Sequence, residues 1–474
     1  MSAAADPEHR HFGRWCLAAN LSVQVTGILE EKGPGNYRLE LAGVLSPPAC
    51  QADDNPIGRH RILGWLENGR LMTLEGCEAI RTNTWGEIQR QSWFAESSVR
   101  DVHINAADPW TFVGASFVMP GLTQWVCRAT TGFEIQKDEK GKPSGLGLLV
   151  SIESWKLWTH RDATVELVRT VSTKQVGEVI TQLESRVDVR AHAPRRMTDD
   201  DFQQLAIRPL QTLVALATGE FTTAISGAVA LAPHSHDGNN RYFEFRWRPL
   251  EITVDPNRTR HGFFYSDFVA LGDDALQSWV NRSIAIRPVV DLYLGVLQKD
   301  GFAELKFLMV VQALEVYHRT TTTASILGRE LWKPVEEKLR EVIQQAQIGN
   351  EPEVRREQLL RRLSHFNDVT LSQRLKTLLD LVPDHKGEVC GGRRGGFIRK
   401  VVDARNYFTH WSTNEESTPV ERGPELFHLT CRLIALLELI LLREIGFLGQ
   451  SSAAAEVMRR RISWLPASAD VTPA

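Results

Sequence analysis

The sequence predicts an α+β fold: an antiparallel β-rich amino-terminal region followed by an α-helical bundle. Three observations carry this. Up to about residue 265, apolar residues alternate with polar ones, as in Leu21, Val23, Val25 and again in Tyr37, Leu39, Leu41. Turn clusters such as Gly33-Pro34-Gly35-Asn36 and Asn68-Gly69 separate these runs. From about 266 to 448 the apolar spacing changes to the 3.6-residue repeat of helices, in long runs with short links.

Taken in order, residues 1–12 form a loose tail. A hairpin follows, with Ile62–Leu66 and Leu71–Leu74 joined by Asn68-Gly69; that dipeptide predicts a two-residue turn with positive φ angles. Further strands are expected over Trp125–Ala129, Leu148–Ile152, Ala163–Val171 and Val187–Val189. Short strands with such turns point to a β-sandwich or a pair of antiparallel sheets. The tryptophans here (Trp65, Trp85, Trp93, Trp110, Trp125, Trp155, Trp158) read either as a stacking platform for sugars or bases or as core packing, and packing is the stronger reading. Thr198 opens a helix that runs through Leu216. Strands resume at Phe221–Leu231, Tyr242–Trp247 and Ile252–Val254. Between them, His234-Ser-His236-Asp237 has metal-capable side chains, but a turn exposed to water explains it better than a site lacking further ligands.

The helical part opens with one helix over Asp274–Leu297, bent near Pro288. Helices follow over Phe302–Arg319, Leu331–Ala346, Pro352–His365 and Thr370–Val382, the last with Thr370 and Gln373 at capping-box spacing. Another starts near Gly396. The last long helix has Pro424 at its start and Gly446 at its end. Arg459-Arg460-Arg461 beyond it reads as a solvated face or a secondary phosphate contact.

Composition bounds the function. The chain has 474 residues, 42% hydrophobic and 24% charged, with net charge −3, so any nucleic-acid binding must come from local patches. The first ten residues have no apolar core and predict no signal peptide. The longest apolar run, Leu433–Leu442, contains Glu438 and is too short to span a bilayer. The cysteines (Cys16, Cys50, Cys77, Cys127, Cys390, Cys431) show no metal spacing and predict buried thiols in a reducing cytoplasm, with Cys390 the one expected near the surface. No cofactor or metal is called for. Walker A, Gly-x-Gly-x-x-Gly and His-Glu-x-x-His patterns are absent from the sequence.

The chemistry concentrates in Arg405-Asn406-Tyr407-Phe408-Thr409-His410. At about 100° per residue, Phe397, Val401, Ala404, Phe408 and Trp411 share one apolar face. Asn406 and His410 are i,i+4 neighbours pointing away from it, and Arg405 lies on the flank. An imidazole titrates near neutrality, and a guanidinium binds anionic oxygens with paired donors. The triplet therefore suits proton transfer beside a phosphate. Arg393, Arg394, Arg399 and Lys400 surround it against the single acid Asp403, a basic field suited to RNA. The preceding Gly391–Gly396 segment reads equally as a gating loop or a passive linker. Glu315, on a largely apolar helix, needs a partner, and pairing with an arginine to orient the motif helix is favoured over catalysis. His318, His365 and His428 read as structural.

These pieces resemble a HEPN domain of the kind in ApeA-type phage-defence proteins. The resemblance rests on Leu308–Arg319, Leu371–Asp380, Val402–Trp411 and Leu441–Phe447, in family order and spacing. The HEPN nuclease motif is an Arg, four residues, then a His, with a polar residue after the Arg; Arg405, Asn406 and His410 fill it. The amino-terminal part resembles the ApeA amino-terminal region more loosely. The resemblance implies an anti-phage (abortive infection) endoribonuclease, metal-independent, cytoplasmic, and a homodimer or higher homo-oligomer. It implies RNA as substrate, tRNA first, and a phage-derived trigger. On this reading residues 13–265 are a sensor or regulatory region in one or two lobes, 266–448 the nuclease domain, and 449–474 a tail. The competing readings are a non-catalytic HEPN scaffold with a ligand-sensing β domain, against which the complete triplet argues, and a carbohydrate-binding or glycosidase module, for which no carboxylate pair speaks.

Overall fold

A computed structural model describes residues 10–32, 35–45, 59–86, 88–126, 131–137, 141–150, 154–160, 162–176, 180–231, 241–247, 260–272, 274–298, 301–346, 352–363, 365–410, 422–447 and 452–465. The chain forms two compact units, Met1–Val280 and Asn281–Ala474. The first is built on antiparallel strands and the second is helical, the α+β order that the sequence predicts.

The first unit opens with β1 (Arg10–Leu17), β2 (Asn20–Glu31), β3 (Tyr37–Leu41), β4 (His60–Leu66), β5 (Leu71–Trp85), β6 (Ile88–Ala95), β7 (Ser97–Arg100) and β8 (Phe112–Val118). The short helix α1 (Leu122–Val126) leads to β9 (Thr131–Lys137), β10 (Pro143–Val150), β11 (Ser154–His160), β12 (Ala163–Val176) and β13 (Ile180–Met197). Then come α2 (Asp199–Phe202), a π-helical turn over Gln203–Ile207, α3 (Arg208–Thr218), β14 (Ser226–Ala230), β15 (Tyr242–Trp247), α4 (Tyr265–Val269) and α5 (Ala275–Ala285), within which the first unit ends.

Of the two expected arrangements, a sandwich or a pair of antiparallel sheets, the described strands form two antiparallel sheets, and the larger one is partly closed. Strand β5 pairs β4, β4 pairs β1, β1 pairs β2, β2 pairs β3, β3 pairs β6, and β6 returns to β5, which closes a ring. The closure depends on β5 changing partners along its length. Its first half lies between β4 and β7, and its second half lies against β6. The change falls at Gly76, with φ +65°, where a Cβ would come within 2.5 Å of the Glu96 side chain. Glycine is the residue that accepts both demands. Ring closure covers strand edges that a sandwich would leave open. Trp15, Leu29, Tyr37, Leu39, Leu41, Ile62, Met72, Leu74 and Trp93 fill the interior. Beyond the ring the sheet continues through β7, β15, β14, β8, β13, β12 and β11, while β9 and β10 pair separately.

Two local expectations are corrected. The Asn68-Gly69 turn is longer than two residues: Leu66 N donates to Arg70 O at 2.9 Å, and Gly69 N donates to Leu66 O at 2.9 Å. Gly69 alone takes a positive φ, +78°, and the Asn68 side chain accepts from Arg70 N at 3.1 Å. This matches a type I turn followed by a left-handed residue. Trp125 lies in helix α1 rather than a strand; Gly121, at φ +82°, turns the chain just before it. Its ring meets Phe263, Tyr265 and Phe268 edge-on. The Thr198 helix start is confirmed by a capping box with Asp201. Of the tryptophans, Trp93, Trp125 and Trp158 are buried as core packing predicts, while Trp85 is 62% exposed. The segments holding Ile252–Val254 and His234-Ser-His236-Asp237 lie outside the described residues.

The second unit contains α6 (Arg287–Leu297), α7 (Ala303–Thr321), α8 (Arg329–Gln345), α9 (Pro352–Leu363), α10 (Leu371–Asp380), α11 (Lys386–Cys390), α12 (Arg394–His410), α13 (Pro424–Ile445) and α14 (Ser452–Ile462). The expected helix over Asp274–Leu297 is two helices. Ile286, at φ −108° and ψ 25°, breaks it, and Pro288 sits in the first turn of α6 where no amide is needed. The Thr370/Gln373 capping box forms, and α13 starts at Pro424 and ends on Gly446 at φ +114°. Helix α7 packs against α6, α10, α12 and α13. Helix α8 buries none of its residues and packs on α9.

Glu438 in α13 is fully buried. It accepts from Tyr293 Oη at 2.8 Å and pairs with the Arg461 guanidinium. Burial pushes its carboxyl upward, and Arg461 and Tyr293 oppose that shift. The arginine run is therefore not uniformly a solvated face: Arg461 is buried, whereas Arg459 and Arg460 pair with Glu456 at 2.7 and 3.0 Å. Cys390 is likewise buried at 8% exposure, and desolvation raises its thiol pKa, the opposite of a reactive thiol. Removing one partner of a buried pair strands the other charge. Arg461→Ala should cost about 3–5 kcal/mol, read as an earlier thermal melt of the helical signal. The double variant Glu438→Leu, Arg461→Met should recover most of that loss.

Candidate active site

Helix α12 is anchored along the stripe read from the sequence: Phe397, Val401 and Ala404 are buried, joined by Ile398. Phe408 is half-buried and meets Phe307 of α7 edge-on, with ring centroids 5.9 Å apart. Trp411 lies outside the described residues. Half of the glycine-rich segment, residues 394–396, is helix. Gly395 and Gly396 lie inside the first turn of α12, and Gly391 ends α11 in the left-handed region at φ +59°. The Arg432 guanidinium lies against Gly391, where a Cβ would meet it at 2.2 Å, and donates to Glu388 O at 2.8 Å.

The basic residues are placed differently from one another. Arg394 donates to Lys376 O at 2.6 Å and to Asp380 Oδ2 at 2.9 Å, so it ties the start of α12 to α10. The Lys386 ammonium and then Arg394 hold the Asp380 carboxyl below the usual carboxylate range. Arg393, Arg399 and Lys400 are exposed. At about 100° per residue, positions 399, 406 and 410 share the face opposite the buried stripe, while position 405 lies on the stripe's flank.

Arg405 has a side chain 33% exposed. Its Nη1 donates to Asn406 Oδ1 at 3.3 Å, and its Nη2 lies 3.9 Å from Glu315 Oε1 on α7. Thr409 Oγ1 donates to Arg405 O at 2.7 Å within the helix. Asn406 is exposed, and His410 is the last residue of α12. The sequence reading thus anticipated a partner for Glu315. It did not anticipate Arg422, whose guanidinium donates to Tyr407 Oη and stacks 5.1 Å from that ring. No local pattern signals that contact, since Arg422 precedes a different helix.

Beneath this surface, His318 is buried, with Nδ1 3.3 Å from Arg374 Nη1 and 3.1 Å from Thr322 Oγ1. A guanidinium can only donate, so Nδ1 is the unprotonated nitrogen. Burial, then Arg374, lowers the His318 pKa, which agrees with a neutral structural imidazole. His365 is exposed, 3.3 Å from Asp368. Among the described residues no group of three or more His, Cys, Asp or Glu side chains is arranged to hold a metal.

An antiparallel β unit together with a helical bundle that displays an Arg-Asn pair from a core-anchored helix defines a two-part protein of HEPN type. The description Apea-like HEPN matches residues 308–449, and ApeA N-terminal domain 1 matches residues 10–279. The chain belongs to the ApeA family, which makes it a defence-related HEPN protein. HEPN domains are generally nuclease-like, and typically act on RNA and oligomerise. No curated protein and no solved structure matches the chain. Among the described residues, no helix is long and apolar enough to cross a membrane.

The Arg394–Asp380 pair is a surface contact worth about 1 kcal/mol or less. Arg394→Ala and Asp380→Asn should each lower the melting temperature slightly at neutral pH. The Asp380 carboxyl is lowered in the folded state, so this stabilisation is present above the ordinary carboxylate pKa. It is lost as pH falls through the lowered value. Melts at neutral and strongly acid pH should show the difference from wild type closing.

Proposed function

We propose that the protein is a metal-independent endoribonuclease of anti-phage defence, acting in the cytoplasm in abortive infection. The observation that carries this reading is the Apea-like HEPN match over residues 308–449 with Arg405, Asn406 and His410 filling the family motif on α12. His410 acts as general base or acid, taking the proton of an RNA 2′-hydroxyl or protonating the leaving 5′-oxygen. The 2′-oxygen attacks phosphorus, the P–O5′ bond breaks, and a 2′,3′-cyclic phosphate and a 5′-hydroxyl result. Arg405 stabilises charge developing on the phosphoryl oxygens, and such placed donors are worth about 3–4 kcal/mol of barrier. Asn406 orients His410 or binds the phosphate. Arg393, Arg399 and Lys400 hold the RNA backbone, with Arg394 fixing the helix that carries them. DNA lacks the attacking hydroxyl and is not a substrate.

The substrate first in line is tRNA, and the β-rich region acts as sensor or silencer for a phage-derived trigger. The protein works as a homodimer or higher homo-oligomer through its helical part. Positions 405 and 410 of one helix lie roughly 140° apart, five steps of about 100°. A two-fold axis that brings two motif helices together supplies the complementary groups from the partner copy.

Purified protein incubated with tRNA in EDTA should yield 2′,3′-cyclic phosphate ends, and both Arg405→Ala and His410→Ala should abolish them. A strict need for added Mg²⁺, or 5′-phosphate ends, would show the mechanism to be wrong. Arg393→Ala and Arg399→Ala should weaken cleavage and flatten its salt dependence without abolishing it. Light scattering should report a dimer or larger; a fully active monomer would contradict the composite site.

A further inference from the structure

Glu315 is a carboxylate with only 9% of its side chain exposed, on a helix whose neighbouring positions are core. A buried carboxylate needs compensating charge. The guanidinium beside it is that of Arg405 of α12, with Nη2 at 3.9 Å. The buried Arg374 of α10 is within electrostatic reach: burial and Arg319 lower its pKa, and Glu315 opposes that shift.

The two arginines differ in what else holds them. Arg374 is fixed by Nε donating to Val369 O at 3.1 Å and by Nη1 at His318 Nδ1. The Arg405 side chain is 33% exposed, and among the described residues its contacts are Glu315 and the adjacent Asn406 Oδ1 at 3.3 Å. The α7–α12 packing does not depend on the charge pair, because Val401 and Ala404 are buried and Phe408 meets Phe307. At 3.9 Å the Glu315–Arg405 contact is electrostatic rather than a hydrogen bond. A tight bidentate pair would occupy the guanidinium face that a phosphate needs. A loose one aims the guanidinium and leaves its donors free to close on an anion.

We infer that Glu315 is a positioning residue for Arg405: from its buried place on α7 it orients the Arg405 guanidinium toward the scissile phosphate without competing for its donors. This rests on the nuclease reading above. It predicts a specific split in the kinetics. Glu315→Gln keeps the shape and removes the charge, so Arg405 loses its orientation and kcat falls roughly ten- to a hundredfold, up to the scale of a group displaced by about 1 Å. KM for RNA stays level or falls, because a negative charge beside the cleft has gone. Glu315→Asp keeps the charge at a longer reach and recovers part of kcat.

The experiment measures kcat and KM on RNA, the pH profile and the melting temperature for wild type, Glu315→Gln, Glu315→Asp, Arg405→Lys and the double variant Glu315→Gln, Arg405→Lys. In the Arg405→Lys background, where the guanidinium is gone, Glu315→Gln should change kcat less than about twofold. Wild-type kcat in a folded Glu315→Gln protein overturns the proposal. So do losses that simply multiply in the double variant, or failure of both Glu315 variants to fold, which would make the residue purely structural. Loss of the acid limb of the pH profile in Glu315→Gln would assign it proton transfer instead. A wild type that cleaves no RNA defeats the nuclease reading itself. The positioning contact is then read by ¹⁵N NMR of the arginine side chains: an Arg405 Nε–H resonance that exchanges slowly in wild type and broadens in Glu315→Gln supports it, and identical spectra reject it.

Discussion

The helical unit depends on one constraint: the middle of α7, residues 307–318, must be largely buried and still carry charge. It packs against α6, α10, α12 and α13, and Phe307, Val310, Val311, Leu314 and Tyr317 supply the apolar contacts. Glu315 and His318 lie on the same helix and are also buried. A carboxylate and an imidazole in that setting are tolerated only with partners from neighbouring helices. Arg405 and Arg374 are those partners. The motif helix is thus tied to the core by packing along one stripe and by charge at its flank. These two attachments hold α12 against α7.

The same principle recurs in α13, where Glu438 is compensated by Tyr293 and Arg461. Replacing such groups with apolar ones of similar volume is often neutral or stabilising, so their presence is weak evidence for a large contribution to stability. The charges near α12 divide on similar lines. Arg394 and Arg432 are engaged with carbonyl oxygens, and Arg394 also with Asp380, so they shape the helix starts and ends. Arg393 and Arg399 are exposed to solvent. A basic stretch in a sequence is therefore two populations, one serving the fold and the other open to solvent.

In the β unit the organising feature is the change of partner along β5. A strand that met one neighbour throughout would leave the sheet open. The bend at Gly76 lets the chain pair with β4 and β7 and then with β6, and the ring closes around Trp15, Tyr37 and Trp93. Gly64 serves the same interior: it lies opposite Trp15, whose ring occupies the space a Cβ would need, 2.3 Å away.

The sequence by itself determined the α+β order, most helix starts and ends, and the buried stripe of α12. These follow from local rules: apolar period, a capping box at Thr370, Pro424 at a first turn and Gly446 after a last one. It also flagged Glu315 as a charge in need of an arginine, because a lone carboxylate on an apolar helix is a local anomaly. Tertiary structure alone decided which arginine, since Arg405 is ninety residues away and only packing brings α7 and α12 together. It alone closed the sheet into a ring, because pairing between distant strands leaves no periodic trace. It alone separated Arg461 and Arg394 from the exposed arginines beside them, because burial and partner are properties of the folded surroundings and not of the residue type.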